Sequence, residues 1–268
     1  MQESGQTTDE KESFDKLISK AEQVKFEAPE ISVKSLFDAG AHYGHNRSVW
    51  HPKTRDFIYD FVGGIAVINL DITVQLWEKA KKFLTDKTSV GARVLFVGTK
   101  DTSRPFVKEA AKACGEFYCV TRWLGGTLTN FSTIKRSIEK LNSLEQLVQK
   151  AKDRSEDIWL AKKEILRIQR EIEKLNNYLE GIREMRDIPG VLVLFDVFKD
   201  QTALKEAVKL QIPVVALVDT NINPSLINYP IPVNDDNPKV IELLAKGMAA
   251  AVLAGKEEYT KRSRKKLA

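Results

Sequence analysis

All three histidines of the chain, His42, His45 and His51, fall within ten residues, in the run Ala39-Gly-Ala-His-Tyr-Gly-His-Asn-Arg-Ser-Val-Trp-His-Pro-Lys-Thr-Arg. Imidazole nitrogens ligate metals and move protons near neutral pH, so the cluster invites both readings. A zinc site built on His42 and His45 needs further ligands, and Asp219, Asp235 and Asp236, at the ends of predicted strands, are the carboxylates that could supply them. The same stretch supports a different chemistry. With Tyr43, Arg47, Trp50, Lys53 and Arg55 the histidines form a patch in which flat rings stack and cations reach phosphates. A third reading makes His42 and His45 hydrogen-bonding groups near a sheet edge, and the residues alone leave the three open.

A second segment gathers donors in another way. Arg122 to Arg136, Arg-Trp-Leu-Gly-Gly-Thr-Leu-Thr-Asn-Phe-Ser-Thr-Ile-Lys-Arg, holds two glycines, two aromatics and three cations. Gly125 and Gly126 admit backbone angles and close approaches that a Cβ forbids, while Arg122, Lys135 and Arg136 carry donors that a phosphate backbone accepts. The combination suggests a surface that docks on RNA.

Signatures of catalysis are missing. The apolar run Val94 to Val97 leads into Gly98-Thr-Lys100, but a nucleoside-triphosphate loop requires a further Gly-Lys-Ser/Thr at fixed spacing, and no G-x-G-x-x-G fingerprint occurs. Lys100 and Arg104 remain candidates for an anion-binding edge. No nucleophile elbow, Ser-His-Asp order or pair of catalytic carboxylates stands out. Asp219, Thr220 and Asn221 follow a predicted strand, at the carboxyl edge where α/β sheets bind ligands, which keeps a ligand-binding protein or enzyme as the alternative. Asn234, Asp235 and Asp236 also suit the role of caps for a helix beginning near Pro238.

The elements that must position these groups read as α/β. Apolar runs of strand length at Ile65 to Ile68, Val94 to Val97, Phe117 to Val120, Val191 to Phe195 and Val214 to Val218 predict buried parallel strands. Helical patterns fall between them at Thr73 to Leu84, Ser103 to Cys114 and Gln201 to Leu210, with a last helix from about Pro238 to Leu253. One segment breaks the alternation. Apolar residues recur at Phe131, Ile134, Ile138, Leu141, Leu144 and Val148, then at Ala161, Ile165, Ile168, Ile172, Leu175, Leu179 and Ile182. The second series alternates spacings of four and three, the seam of a coiled coil, and Lys152 to Asp157 reads as the turn between two antiparallel helices. The expected organisation is an acidic N-terminal extension (1–30), a globular domain (31–129 and 186–255), an inserted αα-hairpin (130–185) and a basic C-terminal tail (256–268).

Charge follows the same divisions. The 268 residues carry a net charge of +5; residues 1–30 hold eight acids and four lysines, so the remainder carries +9. A basic body suggests a polyanionic partner. The extension carries an amphipathic stripe, Phe14, Leu17, Ile18, Ala21 and Val24, and the tail, with six cations and two acids, reads as a mobile basic arm. No apolar run reaches the roughly 20 residues of a membrane helix, and no signal or transit peptide is recognisable, so a cytoplasmic protein is expected. Cys114 and Cys119 fit neither a disulfide framework nor a metal knuckle and read as buried thiols.

Several runs, in order and spacing, resemble the bacterial ribosomal protein S-two family: Phe37-Asp-Ala-Gly-Ala-His-Tyr-Gly-His, Trp50-His-Pro-Lys, Ile68-Asn-Leu, Phe96-Val-Gly-Thr-Lys, Arg122-Trp-Leu-Gly-Gly-Thr-Leu-Thr-Asn, Ile212-Pro-Val, Val218-Asp-Thr-Asn and Ile231-Pro with Asn234-Asp-Asp. The likeness spans about Ser32 to Leu253. It implies a flavodoxin-like three-layer sandwich with an inserted coiled-coil hairpin, bound to small-subunit ribosomal RNA between head and body. It also implies neighbouring ribosomal proteins as partners, help in recruiting the mRNA-binding protein S-one, and no catalysis, cofactor, membrane or small-molecule substrate. By matching motif positions, RNA contact is implied for His45, Arg47, Trp50, Lys53, Arg122, Trp123, Lys135 and Arg136. The chain departs from the family's usual pattern at Asp60-Phe-Val-Gly-Gly, where a basic stretch is common, at Asp101, where a cation is usual, and at Asn223-Pro-Ser and Pro232-Val-Asn-Asp, which have fewer ligating groups. Its acidic extension is longer than is usual.

Overall fold

A computed structural model describes residues 28–153 and 162–267. The stripe Phe14 to Val24 and most of the expected turn at Lys152 to Asp157 lie outside them. Five strands form a parallel sheet: β4 (Val94–Val97), β5 (Phe117–Cys119), β6 (Val191–Leu194), β7 (Val214–Val218) and β8 (Tyr229–Pro232), in the order β5-β4-β6-β7-β8. Strand order reverses beside β4, as in flavodoxin-like folds. Both faces of the sheet are dry because the strands alternate between two cores. Val94, Phe96, Val193, Phe195, Val215 and Leu217 enter one, and Leu95, Val97, Leu192, Leu194, Ala216 and Val218 enter the other. A period of two with apolar residues on both faces requires helices above and below.

The first core is covered by α1 (Val33–Asp38), α2 (Leu70–Thr88), α3 (Arg104–Ala113) and α7 (Pro238–Leu267). Gly247 lets α7 press close; a Cβ there would lie 2.5 Å from Ile31 Cδ1 and 2.9 Å from the Trp77 ring. The second core is covered by α6 (Gln201–Lys209) and by the base of a helix pair, α4 (Phe131–Asp153) and α5 (Lys162–Leu179). Phe131, Ile134, Ile138, Leu141, Leu179 and Ile182 are buried there, so the predicted apolar spacing faces the core along the base of α4 and at the end of α5, while Ile172 and Leu175 are only partly buried. Lys140 reaches Glu171 across the pair at 2.5 Å, and Arg183 meets Glu145 and Asn142 near the base. Ala161, expected in the seam, lies outside the described residues.

Two strand expectations change. Ile65–Ile68 is not in the parallel sheet. It is β3, the centre of a separate antiparallel sheet with β1 (Tyr43–Asn46) and β2 (Ile58–Val62) on its flanks. A four-residue apolar run does not reveal its partners, but Gly63-Gly64 does: with φ of +59° and +84° they make the two-residue turn that joins β2 to β3. The strand β8 was hidden by Pro230 and Pro232. Both prolines are tolerated because β8 is an edge strand, with one side free of the hydrogen-bond ladder. The final helix also runs past the expected end at Leu253 to Leu267. Lys256 on it ties to the buried Glu116 at 2.6 Å, and Glu116 also holds Arg93 at 3.0 Å, so the basic segment begins as a pinned helix. Cys114 and Cys119 are free, buried thiols.

Candidate nucleic-acid interface

The segment after β5 crosses the carboxyl edge of the sheet and turns into α4. Beneath it lies Glu206, a side chain on α6 with only 7% of its surface exposed. One carboxylate oxygen accepts hydrogen bonds from Trp123 Nε1 at 3.0 Å and Gly126 N at 2.7 Å. The other accepts from Leu128 N at 2.9 Å, Thr129 N at 3.0 Å and Thr129 Oγ1 at 3.2 Å. Burial alone raises the Glu206 pKa, but the donors of Trp123, Thr129, Gly126 and Leu128 outweigh it and hold the carboxyl below its ordinary value. Gly126, at φ +87°, is the residue that bends the chain so that successive amides face inward. Trp123 is therefore not a surface ring. It is 8% exposed and packs in the second core, so its expected place on an RNA-contacting face is corrected to the inner wall of the loop.

The cations of this segment point the other way. Arg122, Lys135 and Arg136 are all exposed. Lys135 Nζ lies 5.1 Å from the Phe131 ring centroid and 4.0 Å from Asp187, a loose surface contact. The last two stand on the first turns of α4, where the unpaired amides of a helix N-terminus favour anions. Asn130 steadies that start, accepting from Thr133 Oγ1 at 2.9 Å.

The histidine stretch is divided. His42 stacks between Phe37 and Tyr43, at centroid distances of 4.4 and 4.0 Å, and burial lowers its pKa. His51 accepts the Lys53 amide through Nδ1 at 3.2 Å and starts a short turn, Pro52–Phe57. His45 alone turns towards the carboxyl ends of β7 and β8. Its Nδ1 lies 3.0 Å from Asp219 Oδ1, off the ideal hydrogen-bond line, and its Nε2 lies 3.2 Å from Asn221 Nδ2. The Asp219 carboxylate raises the His45 pKa against the effect of burial. Arg47 lies over the Phe61 ring at 5.1 Å, Trp50 meets the same ring edge-on at 5.3 Å, and Lys53 donates to Ser225 Oγ at 2.9 Å.

Beside His45 opens a cavity of about 480 Å³ lined by Lys100, Asp196, Asn221, Asp235 and Asp236 among others. Lys100 Nζ lies 3.3 Å from both Asp196 and Asp235 and also contacts Asp236. Burial lowers the Lys100 pKa, but the three carboxylates outweigh it and hold the ammonium charged. Asp235 is pushed up to about 7, first by burial and then by Asp196 and Asp219. The carboxylates weighed as zinc ligands do come together with His45, while His42 does not join them. Their central positive charge is the Lys100 ammonium, and the described residues hold no group of three or more His, Cys, Asp or Glu spaced to grip a metal. Asp219, offered as the edge of a ligand site, is 1% exposed and is spent on the Thr220 amide at 2.5 Å and on His45. Asp101, where a cation was usual, pairs with Arg104 at 2.9 Å.

Sequence reasoning missed Glu206 and the Lys100 cluster. For Glu206 a signal was present: Ala203, Leu204 and Ala207 mark the inner face of α6, and position 206 lies on that face. Lys100 was expected at an anion-binding edge, and the anions it meets are the protein's own: Asp196 after β6 and the adjacent Asp235 and Asp236 after β8, which nothing in the sequence paired with it.

A flavodoxin-like sheet whose carboxyl edge is filled by its own charged side chains, with exposed cations on the segment that leads into α4, defines a structural α/β scaffold. Among the described residues no helix is long and apolar enough to cross a membrane. Residues 36–255 match the family model described as Ribosomal protein S2. The chain is 43% identical over 227 residues to the small ribosomal subunit protein uS2 of a Nitratiruptor species, covering 85% of this chain and 84% of the relative. It is 42% identical over 225 residues to the uS2 protein of Sorangium cellulosum, covering 84% and 80%. The chain belongs to the ribosomal protein S2 family, a constituent of the small ribosomal subunit with a structural rather than an enzymatic role in translation.

Proposed function

We propose that this protein binds small-subunit ribosomal RNA through the outward cations Arg122, Lys135 and Arg136, supplemented by Arg47, Trp50 and Lys53, and that it sits between head and body of the subunit. The observation that carries this reading is the contrast within one loop: its amides and Trp123 are consumed by Glu206, whereas Arg122 and the two cations of α4 stand exposed on that braced base. Cations held on rigid elements keep their geometry when they meet phosphates, which lowers the ordering cost of binding. His45 fits the interface less well, because its ring is engaged by Asp219 and Asn221.

Residues 130–185 act in this reading as an antiparallel coiled-coil arm that braces the subunit surface, and the protein helps to seat S-one. The RNA assignment is tested by sedimentation with small subunits across a salt series. Association weakens as salt rises, and changing Arg122, Lys135 and Arg136 to alanine lowers the log–log salt slope by roughly 2 to 3. An unchanged slope sinks the assignment of these three residues. For S-one, subunits assembled without this protein should lose that partner; full retention refutes the second part.

A further inference from the structure

Glu206 is a charged side chain buried under a loop, on an element that contributes no cation to the proposed interface. It contacts five donors from four residues of one segment, Trp123, Gly126, Leu128 and Thr129. Converging backbone amides of this kind form a nest, a concavity that holds an anionic oxygen pair. Left empty, the nest would compete for phosphate and the loop would lose the internal bonds that fix it. Filled by Glu206, it leaves only Arg122 and the cations of α4 to face outward.

We propose that Glu206 is a positioning residue for RNA binding: its carboxylate serves as a built-in anion that closes the Trp123–Thr129 nest and thereby sets where Arg122, Lys135 and Arg136 stand. This rests on the RNA-binding reading above. The chemistry of the nest makes a specific demand. A small carboxylate from solution, such as formate, should replace the missing group when the side chain is shortened, and chloride at the same ionic strength should do so poorly because it lacks the paired oxygens. Glutamine, isosteric but uncharged and carrying an NH2 group that faces an amide donor, should satisfy only part of the nest.

The test uses the full chain with the changes Glu206→Ala and Glu206→Gln. Hydrogen exchange at the amides of Gly126, Leu128 and Thr129 is expected to accelerate by about tenfold or more in either variant, as loss of charged hydrogen bonds implies. Formate should slow it again in Glu206→Ala but not in wild type, and binding to small-subunit ribosomal RNA should fall and recover in parallel. Unchanged exchange at those amides overturns the nest. Faster exchange without loss of RNA affinity overturns the positioning role. Should Glu206→Ala not fold, Glu206→Gln carries the same two readouts. A wild-type protein that binds this RNA without salt dependence would refute the RNA reading itself, while the formate response would still report on the nest.

Discussion

The Arg122 loop and the His45 cavity both occupy carboxyl ends of the parallel strands, one beyond the edge strand β5 and the other beyond β7 and β8. They handle buried charge in opposite ways. Under the loop, one carboxylate meets five donors and its pKa is depressed. In the cavity, Asp196, Asp235 and Asp236 share the Lys100 ammonium, and Asp235 is driven up to about 7. The difference teaches that burial alone does not fix a carboxyl group; the ratio of donors to acceptors does. The loop is a satisfied anion, and the cavity is a crowded one.

Acid should therefore separate the two regions. Glu206, with its folded pKa below the ordinary 4.5, contributes stability that is present above that value and is lost as pH falls through the folded pKa. Asp235 works in reverse. Its folded pKa of about 7 against 3.8 contributes stability below 3.8 that is lost as pH rises towards 7.

The comparison can be broken most directly at Trp123. Trp123→Ala removes a buried ring and a Glu206 donor and should cost about 3 to 5 kcal/mol in urea unfolding, whereas Trp123→Phe, keeping most of the volume, should cost about 1 to 3 kcal/mol. A Trp123→Phe loss indistinguishable from zero would show that the hydrogen bond to Glu206 contributes nothing. Next comes Lys100→Met, which strands three carboxylates and should destabilise by about 1 to 3 kcal/mol near pH 8. At pH 5.5 the loss should shrink, because Asp235 then binds a proton; a loss independent of pH would contradict a crowded cavity. A finer test is Asp235→Asn: the stability of wild type minus that of the variant, followed by chemical denaturation, should decline between pH 3.8 and 7, and a flat difference would refute the raised Asp235 pKa. The smallest effect is expected outside both regions. Lys140→Ala breaks the exposed pair with Glu171 on the arm and should leave the unfolding midpoint unmoved within error.

Much of the architecture was legible from local pattern. Val94–Val97, Val191–Leu194 and Val214–Val218 are apolar on both faces, and such runs have few alternatives to a covered parallel sheet. The buried stripe at the base of α4 was equally visible in its spacing. The antiparallel sheet was not, since Ile65–Ile68 reads alike in either kind of sheet and Tyr43–Asn46 carries a glycine and polar groups. In the candidate interface, residue type marked Arg122, Lys135 and Arg136 as surface cations, and they are exposed, yet it could not separate Trp123 from Trp50. One is a core ring bonded to Glu206, and the other is a half-buried ring against Phe61.

The sequence by itself determined the family, the order of layers and the cationic character of the Arg122 to Arg136 segment, because periodicity, glycine placement and charge are properties of neighbours along the chain. Only the tertiary structure decided which groups cancel one another. Glu206 lies 77 residues from Thr129, and Lys100 lies 135 from Asp235. Such pairs meet because the sheet brings strand ends together, and electrostatic balance depends on distance in space and on burial, neither of which is written in sequence separation.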